Sequence, residues 1–149
     1  MALLFISHDI TVVGQVCDRV LVMYAGKIVE NLPAADLLAH ARHPYTRALL
    51  AAVPSMETSR ELPLAVITGR PADPADLPAG CAFAPRCAFA SGKCRAQDPP
   101  LLADEAGREV ACWHVDRVLA VTPVAALPPE TLTADPESAG AAQPSGEPA

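Results

Sequence analysis

The chain has 149 residues, a formal net charge of −6 and a hydrophobic fraction of 51%, much of it alanine, with only 4% aromatic residues. The acidic balance excludes the basic footprint that nucleic-acid binding needs. No uninterrupted apolar run approaches the roughly 18 residues of a membrane span, and Met1-Ala2-Leu3-Leu4-Phe5 lacks the basic start of a secretory leader.

A cytoplasmic location is then the default, and there clustered cysteines point to metal ligation rather than to disulfides. Most of the 16 prolines fall after residue 53, which predicts a compact first third, a loop-rich middle and a disordered end. Leu3-Leu4-Phe5-Ile6 predicts a short buried strand, ended by the polar turn and helix start Ser7-His8-Asp9. Ligands of open α/β sheets collect at the carboxyl ends of strands, so His8 is a candidate functional residue. A polar side chain in a strand-to-helix turn accounts for it equally well. Residues 10–17 place apolar side chains at helical spacing, closed by Asp18-Arg19. Val20–Tyr24 is a second apolar strand, Ala25-Gly26-Lys27 a tight turn, and Lys27–Glu30 the returning strand of a hairpin.

Taken as one ordered string, these elements resemble the switch-histidine region of ABC-transporter nucleotide-binding subunits. The resemblance implies an α/β fold, namely the C-terminal fragment of an ABC-type P-loop ATPase core. His8 would then reach the γ-phosphate of ATP, bound with Mg2+ in the complete subunit, and help place the attacking water. A neutral imidazole suits that task, with one ring nitrogen donating and the other accepting. The sequence contains no Gly-x-x-x-x-Gly-Lys-Ser/Thr phosphate loop, no Ser-Gly-Gly-Gln signature and no apolar strand ending in Asp-Glu ahead of Leu3. Under this resemblance all three are expected upstream of Met1. The chain by itself is expected not to hydrolyse ATP, since a phosphate loop supplies most triphosphate contacts. Its first strand would lack parallel neighbours and present an open edge.

Residues 33–40 predict a short helix with Pro33 in its first turn. His43-Pro44-Tyr45-Thr46 opens a second helix, ended by Pro54, whose inner face carries Tyr45, Leu49 and Val53. His40 and His43 read better as a solvated loop histidine and a helix-entry histidine than as a metal pair. The His-Pro-Tyr-Thr string narrows the resemblance to the oligopeptide/dipeptide (and nickel-peptide) importer branch, whose C-terminal extension begins here. The implied layout is an ATPase-core part at 1–32, a helical start of the extension at 33–54, a Pro- and Ala-rich connector at 55–80, a cysteine module at 81–115 and a disordered tail at 120–149. The connector holds one short apolar run, Leu64–Ile67, a candidate strand.

Four of the five cysteines follow the pattern Cys81-x5-Cys87-x6-Cys94-x17-Cys112. Four thiolates can close a tetrahedral site or hold an iron–sulfur cluster. Structural zinc usually has cysteine pairs two to four residues apart, whereas wider gaps leave room for a larger group. The string Gly80-Cys81-Ala82-Phe83-Ala84-Pro85-Arg86-Cys87, a third Cys and then Ala111-Cys112 is similar to the cysteine module of the oligopeptide-importer ATPases. That resemblance implies a [4Fe–4S] cluster held by Cys81, Cys87, Cys94 and Cys112, with zinc as the alternative and a structural role. Ala82 and Ala88 stand where the family often has Pro, which loosens the turns without removing a ligand. Four unliganded thiols in a loop are the plain alternative. Cys17 reads as a small buried hydrophobe. Trp113 is expected to pack over the module, His114 is a dispensable substitute ligand, and residues 115–119 predict a short helix.

The expected function is the C-terminal part of the ATP-binding subunit of a peptide-type ABC importer, coupling ATP binding and hydrolysis to uptake of peptides. Its partners would be permease subunits and a second ATP-binding subunit, with no nucleic acid, on the cytoplasmic face of the membrane. The competing class is a stand-alone iron–sulfur or zinc binding module.

Overall fold

The structure, a computed structural model, describes residues 2–53 and 66–120. Its framework starts from the turn at Ala25-Gly26, where both residues take positive φ, 48° and 80°. A two-residue connection with φ > 0 at both positions matches the twist of the strands it joins. Glycine adopts that conformation freely, while Ala25 does so at a steric cost. The turn joins β1 (Arg19–Tyr24) to β2 (Lys27–Pro33) as an antiparallel hairpin. Along β1 the side chains alternate cleanly, Val20, Val22 and Tyr24 inward and Arg19, Leu21 and Met23 outward. In β2 the alternation breaks, because the register slips between Val22 and Met23: Val22 faces Glu30 but Met23 faces Ile28. Val29 is the extra residue, and the bulge lets both Val29 and Glu30 point inward.

Two short strands unannounced by the sequence complete the sheet. β3 (Leu102–Ala103) and β4 (Glu109–Val110) form a small antiparallel pair, and β4 adds to β2 with Glu30 opposite Val110. The sheet order is β1-β2-β4-β3, antiparallel throughout. The cysteine module is thereby stitched to the hairpin by backbone bonds, including Ala111 N–H to the Val29 carbonyl at 2.9 Å.

The helices are short. α1 (Ile10–Val16) is capped by Asp9, whose carboxylate accepts from the Thr11 and Val12 amides at 2.9 and 3.2 Å. A 3-10 turn at Ala34–Asp36 leads into α2 (Leu37–His40). α3 (Pro44–Ala51) has Pro44 in its first turn, where its missing N–H costs nothing. Further on come a 3-10 turn at Ala84–Arg86, α4 (Gly92–Ala96) and α5 (Val115–Ala120). No helix among the described residues is long and apolar enough to cross a membrane.

One expectation fails outright. Residues 3–6 form no strand; Leu3, Leu4 and Ile6 are 74%, 83% and 85% exposed. An apolar run becomes a strand only with a ladder to join, and none of the described strands pairs with it. The inner face of α3 also differs. Thr46, Arg47, Ala48 and Leu50 are buried, while Tyr45 and Leu49 are half-buried and pack at the core margin. Both sides of α3 are covered, so no single stripe describes it. Pro54, Leu64, Ala65 and the tail from Val121 lie outside the described residues. Val66 and Ile67 are irregular, and among the described connector residues a bridge joins Asp73 to Asp76.

The core gathers Val20, Val22, Tyr24, Val29, Leu32, Leu37, Ala41, Leu50 and Phe83. Leu32 is fully enclosed, Leu38 on the next element largely exposed. Leu32→Ala should therefore lower unfolding free energy by about 2–5 kcal/mol, with Leu38→Ala within about 0.5 kcal/mol of the parent. Urea denaturation of the 149-residue chain checks both.

Candidate functional site: a four-cysteine pocket anchored on Glu30 and His43

Glu30 is 1% exposed and His43 2%. The Glu30 carboxylate accepts from the backbone amides of Arg42 and His43. Desolvation pushes its pKa up, and the hydrogen bonds from these two amides oppose the rise. His43 caps α3, its Nδ1 accepting from the Tyr45 amide at 3.1 Å. The same ring is hydrogen-bonded to the Ala111 backbone, and burial drives its pKa down to about 3. An imidazole that accepts at Nδ1 is the neutral Nε2–H tautomer. Glu30 thus holds His43, and His43 reaches the residue before Cys112. The sequence reading of His43 as a helix-entry residue holds, and its burial is new.

Phe83 packs edge-on against Tyr24 (5.2 Å between centroids) and beside Tyr45 and His43. Arg86 fixes the connector, donating from Nε to the Thr68 carbonyl at 2.9 Å and from Nη2 to the Ile67 carbonyl at 2.7 Å. Gly80 allows the closest backbone approach in the module. A Cβ there would lie 2.2 Å from the Cys94 carbonyl oxygen, which accepts from the Cys81 amide at 2.8 Å.

These supports bring Cys81, Cys87, Cys94 and Cys112 around one narrow cavity, lined also by His43, Phe83, Phe89, Trp113 and His114. All five cysteines of the chain are free thiols. Burial raises the Cys81 thiol, pushes Cys87 up to about 12 and Cys112 up to about 11, and the neighbouring thiols add to each rise. Cys81, Cys87 and Cys112 are therefore protonated at neutral pH. Three of the sulfurs nevertheless face a backbone donor, and the fourth a hydroxyl. Cys81 accepts from the Phe83 and Ala84 amides, Cys87 from the Phe89 amide and Cys112 from the His114 amide at 3.4 Å. Cys94, inside α4, lies 3.5 Å from the Ser91 hydroxyl. Among the described residues no group of three or more His, Cys, Asp and Glu side chains is arranged to hold a metal ion. The metal-liganded extension expected from the sequence, whether cluster or zinc, therefore has no preformed site among the described residues.

Trp113 covers the module as expected, its Nε1–H bonded to the Gln97 carbonyl at 3.1 Å and its ring stacked under the Lys93 ammonium. Cys17 is half-buried and His40 exposed. His8 is exposed in the loop ahead of α1 and takes no part in the cysteine cavity. The neighbouring Asp9 is the helix cap, its carboxyl held low chiefly by the Thr11 hydroxyl. Glu30, Ser91 and the Arg42–Asp104–Arg108 ion network (Arg42 Nη1 3.1 Å and Arg108 Nη2 2.9 Å from Asp104 Oδ2) went unread in the sequence. A lone carboxylate in the apolar run Ile28-Val29-Glu30 was the available signal for the first, and serine three residues before a cysteine for the second.

The segment from β2 through Cys94, residues 29–94, matches the family described as Oligopeptide/dipeptide transporter, C-terminal region. Residues 29–94 belong to that family. The match begins beside Glu30 and takes in His43, Cys81, Cys87 and Cys94, so the transporter C-terminal region and the anchored pocket largely coincide. Over 118 residues the chain is 44% identical to a probable peptide ABC transporter ATP-binding protein of Sinorhizobium fredii, covering 79% of this chain and 35% of that protein. It is 39% identical over 116 residues to the dipeptide transport ATP-binding protein DppF of Haemophilus influenzae (78% and 36%). It is 43% identical over 112 residues to the oligopeptide transport ATP-binding protein AppD of Bacillus subtilis (75% and 34%). The chain spans about a third of the length of these relatives.

The His43 ring is a pH-sensitive part of this transporter region. Its folded pKa lies below the unfolded value of about 6.5, so the stability from burying it neutral is complete above that pH. It is lost as pH falls toward 3. The imidazole NMR shifts of His43 should stay those of the neutral tautomer down to pH about 4. A midpoint near 6.5 would contradict the buried assignment.

Proposed function

We propose that this chain is the C-terminal part of the ATP-binding subunit of a peptide-type ABC importer. In the complete subunit it would couple ATP binding and hydrolysis, with Mg2+, to peptide uptake through permease subunits and alongside a second ATP-binding subunit. The observation that carries this reading is the transporter C-terminal region at residues 29–94, together with relatives named as peptide, dipeptide and oligopeptide transport ATP-binding proteins. The complete subunit would work at the cytoplasmic face of the membrane.

His8 takes the γ-phosphate role in this reading. Its support is the Ser7-His8-Asp9 string, its exposure, and a rigid base beneath it: Asp9 caps α1, and its own amide donates to Ser7 Oγ at 3.0 Å. A neutral imidazole there can donate to a phosphate oxygen and orient water. In a complete subunit, His8→Ala should leave ATP binding within a few-fold and cut turnover by one or more orders of magnitude, as for a group acting mainly in the transition state. Equal turnover at equal stability would remove the assignment. Without the phosphate loop and the Asp-Glu strand, the 149-residue chain alone is proposed to be inactive.

The cysteine pocket is proposed to hold a [4Fe–4S] cluster. The reading rests on four soft ligands around one cavity, three of the sulfurs met by a backbone donor that favours the thiolate form and Cys94 lying beside the Ser91 hydroxyl. Zinc is the alternative metal. The group, when bound, supplies cross-links among loops that bury too little apolar surface to order themselves. Cys81, Cys87, Cys94 and Cys112 would bind it, and Phe83, Phe89 and Trp113 keep water from it. Because burial raises the thiols, loading must release protons, and the metal should be lost as pH falls. Chain prepared without oxygen should contain about four iron and four sulfide. Serine at any of the four positions should abolish retention, and Cys17→Ser should not. One zinc with no iron would replace the cluster by a zinc site, and no metal under any loading condition would leave four structural thiols.

A further inference from the structure

Three of the four pocket sulfurs take their hydrogen bonds from main-chain amides two or three residues downstream: Cys81 from Phe83 and Ala84, Cys87 from Phe89, Cys112 from His114. Cys94 sits within α4, where main-chain N–H groups serve the helix; the Arg95 and Gln97 amides bond to the Ser91 and Lys93 carbonyls. The polar partner at Cys94 is instead the side chain of Ser91, three residues earlier, with Oγ 3.5 Å from Sγ and either group able to donate. A hydroxyl rotor alone has no fixed direction. Here it is held, because His114 Nε2 lies 2.7 Å from the same Oγ. With Nε2 protonated, His114 donates to Ser91 Oγ, and the serine proton is free to point at the sulfur. The backbone amide of His114 serves Cys112. One residue therefore supports two of the four sulfurs, one through its main chain and one through its ring.

We propose that Ser91 and His114 are positioning residues for the cysteine pocket: the His114 ring orients the Ser91 hydroxyl, which donates to the Cys94 sulfur and sets the electronic character of that one ligand. The inference rests on the reading of the pocket as an iron–sulfur site. A donor to a ligand sulfur stabilises the more negatively charged, reduced cluster and strengthens retention of the metal. Of the four donors this is the one a single side-chain substitution can remove, so Cys94 is the ligand at which cluster lability is set.

The experiment uses the full 149-residue chain, loaded with ferrous iron and sulfide under argon. Ser91→Ala should still bind iron but lose it to a chelator about tenfold faster or more, with a midpoint potential shifted to more negative values. Ser91→Thr, which keeps the hydroxyl, should restore both. His114→Phe should resemble Ser91→Ala, since it removes the orienting nitrogen but keeps the main-chain donor to Cys112. Wild-type rates and potentials in Ser91→Ala would overturn the proposal, as would failure of threonine to rescue. The metal-free chain is the control that separates this inference from the cluster reading. There the long-range 1H–15N spectrum of His114 should show a protonated, hydrogen-bonded Nε2 that shifts on Ser91→Ala. If wild-type chain retains no iron while the ring signal moves, the cluster reading fails and the pairing stands; an unmoved ring signal sinks the pairing regardless of metal.

Discussion

The structure depends on one buried carboxylate. Glu30 is enclosed on all sides, and an isolated charge so placed would be costly. It is tolerated because the bulge at Val29 turns it toward the two amides that open the path into α3. Those amides belong to a helix entry, where main-chain donors have no intrahelical partners. Carboxylate and helix entry therefore answer each other's unmet hydrogen bonds. Three elements are fixed at once: the hairpin by the bulge, α3 by its first turn, and β4 by pairing across from Glu30. Neither the small apolar core nor any single helix could do this, since no helix among the described residues exceeds eight residues and isolated helices of that length are marginal in water.

From that node the order passes outward to the sulfur pocket. The neutral His43 ring spans from the Tyr45 amide to the Ala111 backbone, and Ala111 is held a second time by Val29. Cys112 follows directly, so the most distant of the four cysteines in sequence is placed by the hairpin. Cys81, Cys87 and Cys94 are placed differently, by Phe83 in the aromatic cluster, by Arg86 clamped on the connector, and by the backbone contact at Gly80. Two independent supports converge on one cavity. Charged pairs at the rim, Lys27 with Asp98 and Arg42 with Asp104, tie the same segments together at the surface. Exposed pairs of the first kind contribute little; the partly shielded Arg42–Asp104–Arg108 group, with Arg42 also donating to the Arg108 carbonyl at 2.9 Å, does more to set the β3–β4 turn.

Much of this was legible in the residues, and the reasons for the rest are specific. The hairpin followed from an apolar strand plus a Gly turn, α1 from apolar residues at helical spacing after a polar turn, α3 from His-Pro, and the grouping of the four cysteines from their clustering in sequence. The strand expected at Leu3–Ile6 did not form, because β propensity expresses pairing and burial that the residues themselves do not supply. β3 and β4, two residues each, are too short to carry a period. The inward turn of Glu30 depended on a bulge that no local pattern encodes. For α3 the error was to assume one buried stripe, when Thr46, Arg47, Ala48 and Leu50 are all buried.

The distribution of donors around the sulfurs separates this pocket from an ordinary hydrophobic cavity. Thiols in an apolar interior are weak acceptors and need no partners. Here the loops are shaped so that N–H groups converge on Cys81, Cys87 and Cys112, while burial drives the same groups toward the protonated form. The two effects oppose each other: desolvation disfavours the thiolate, and the donors are arranged for it. At these three cysteines desolvation wins, and the sulfurs stay protonated. A cation among them would reverse the balance, because its charge removes the desolvation penalty while the donors remain in place. Backbone donors directed at buried sulfurs distinguish these loops from plain apolar packing. The same argument makes Glu30 and His43 more than scaffolding. By placing Ala111 they fix where Cys112 meets the His114 amide, so a change at the hairpin bulge would reach the sulfur farthest from it in sequence.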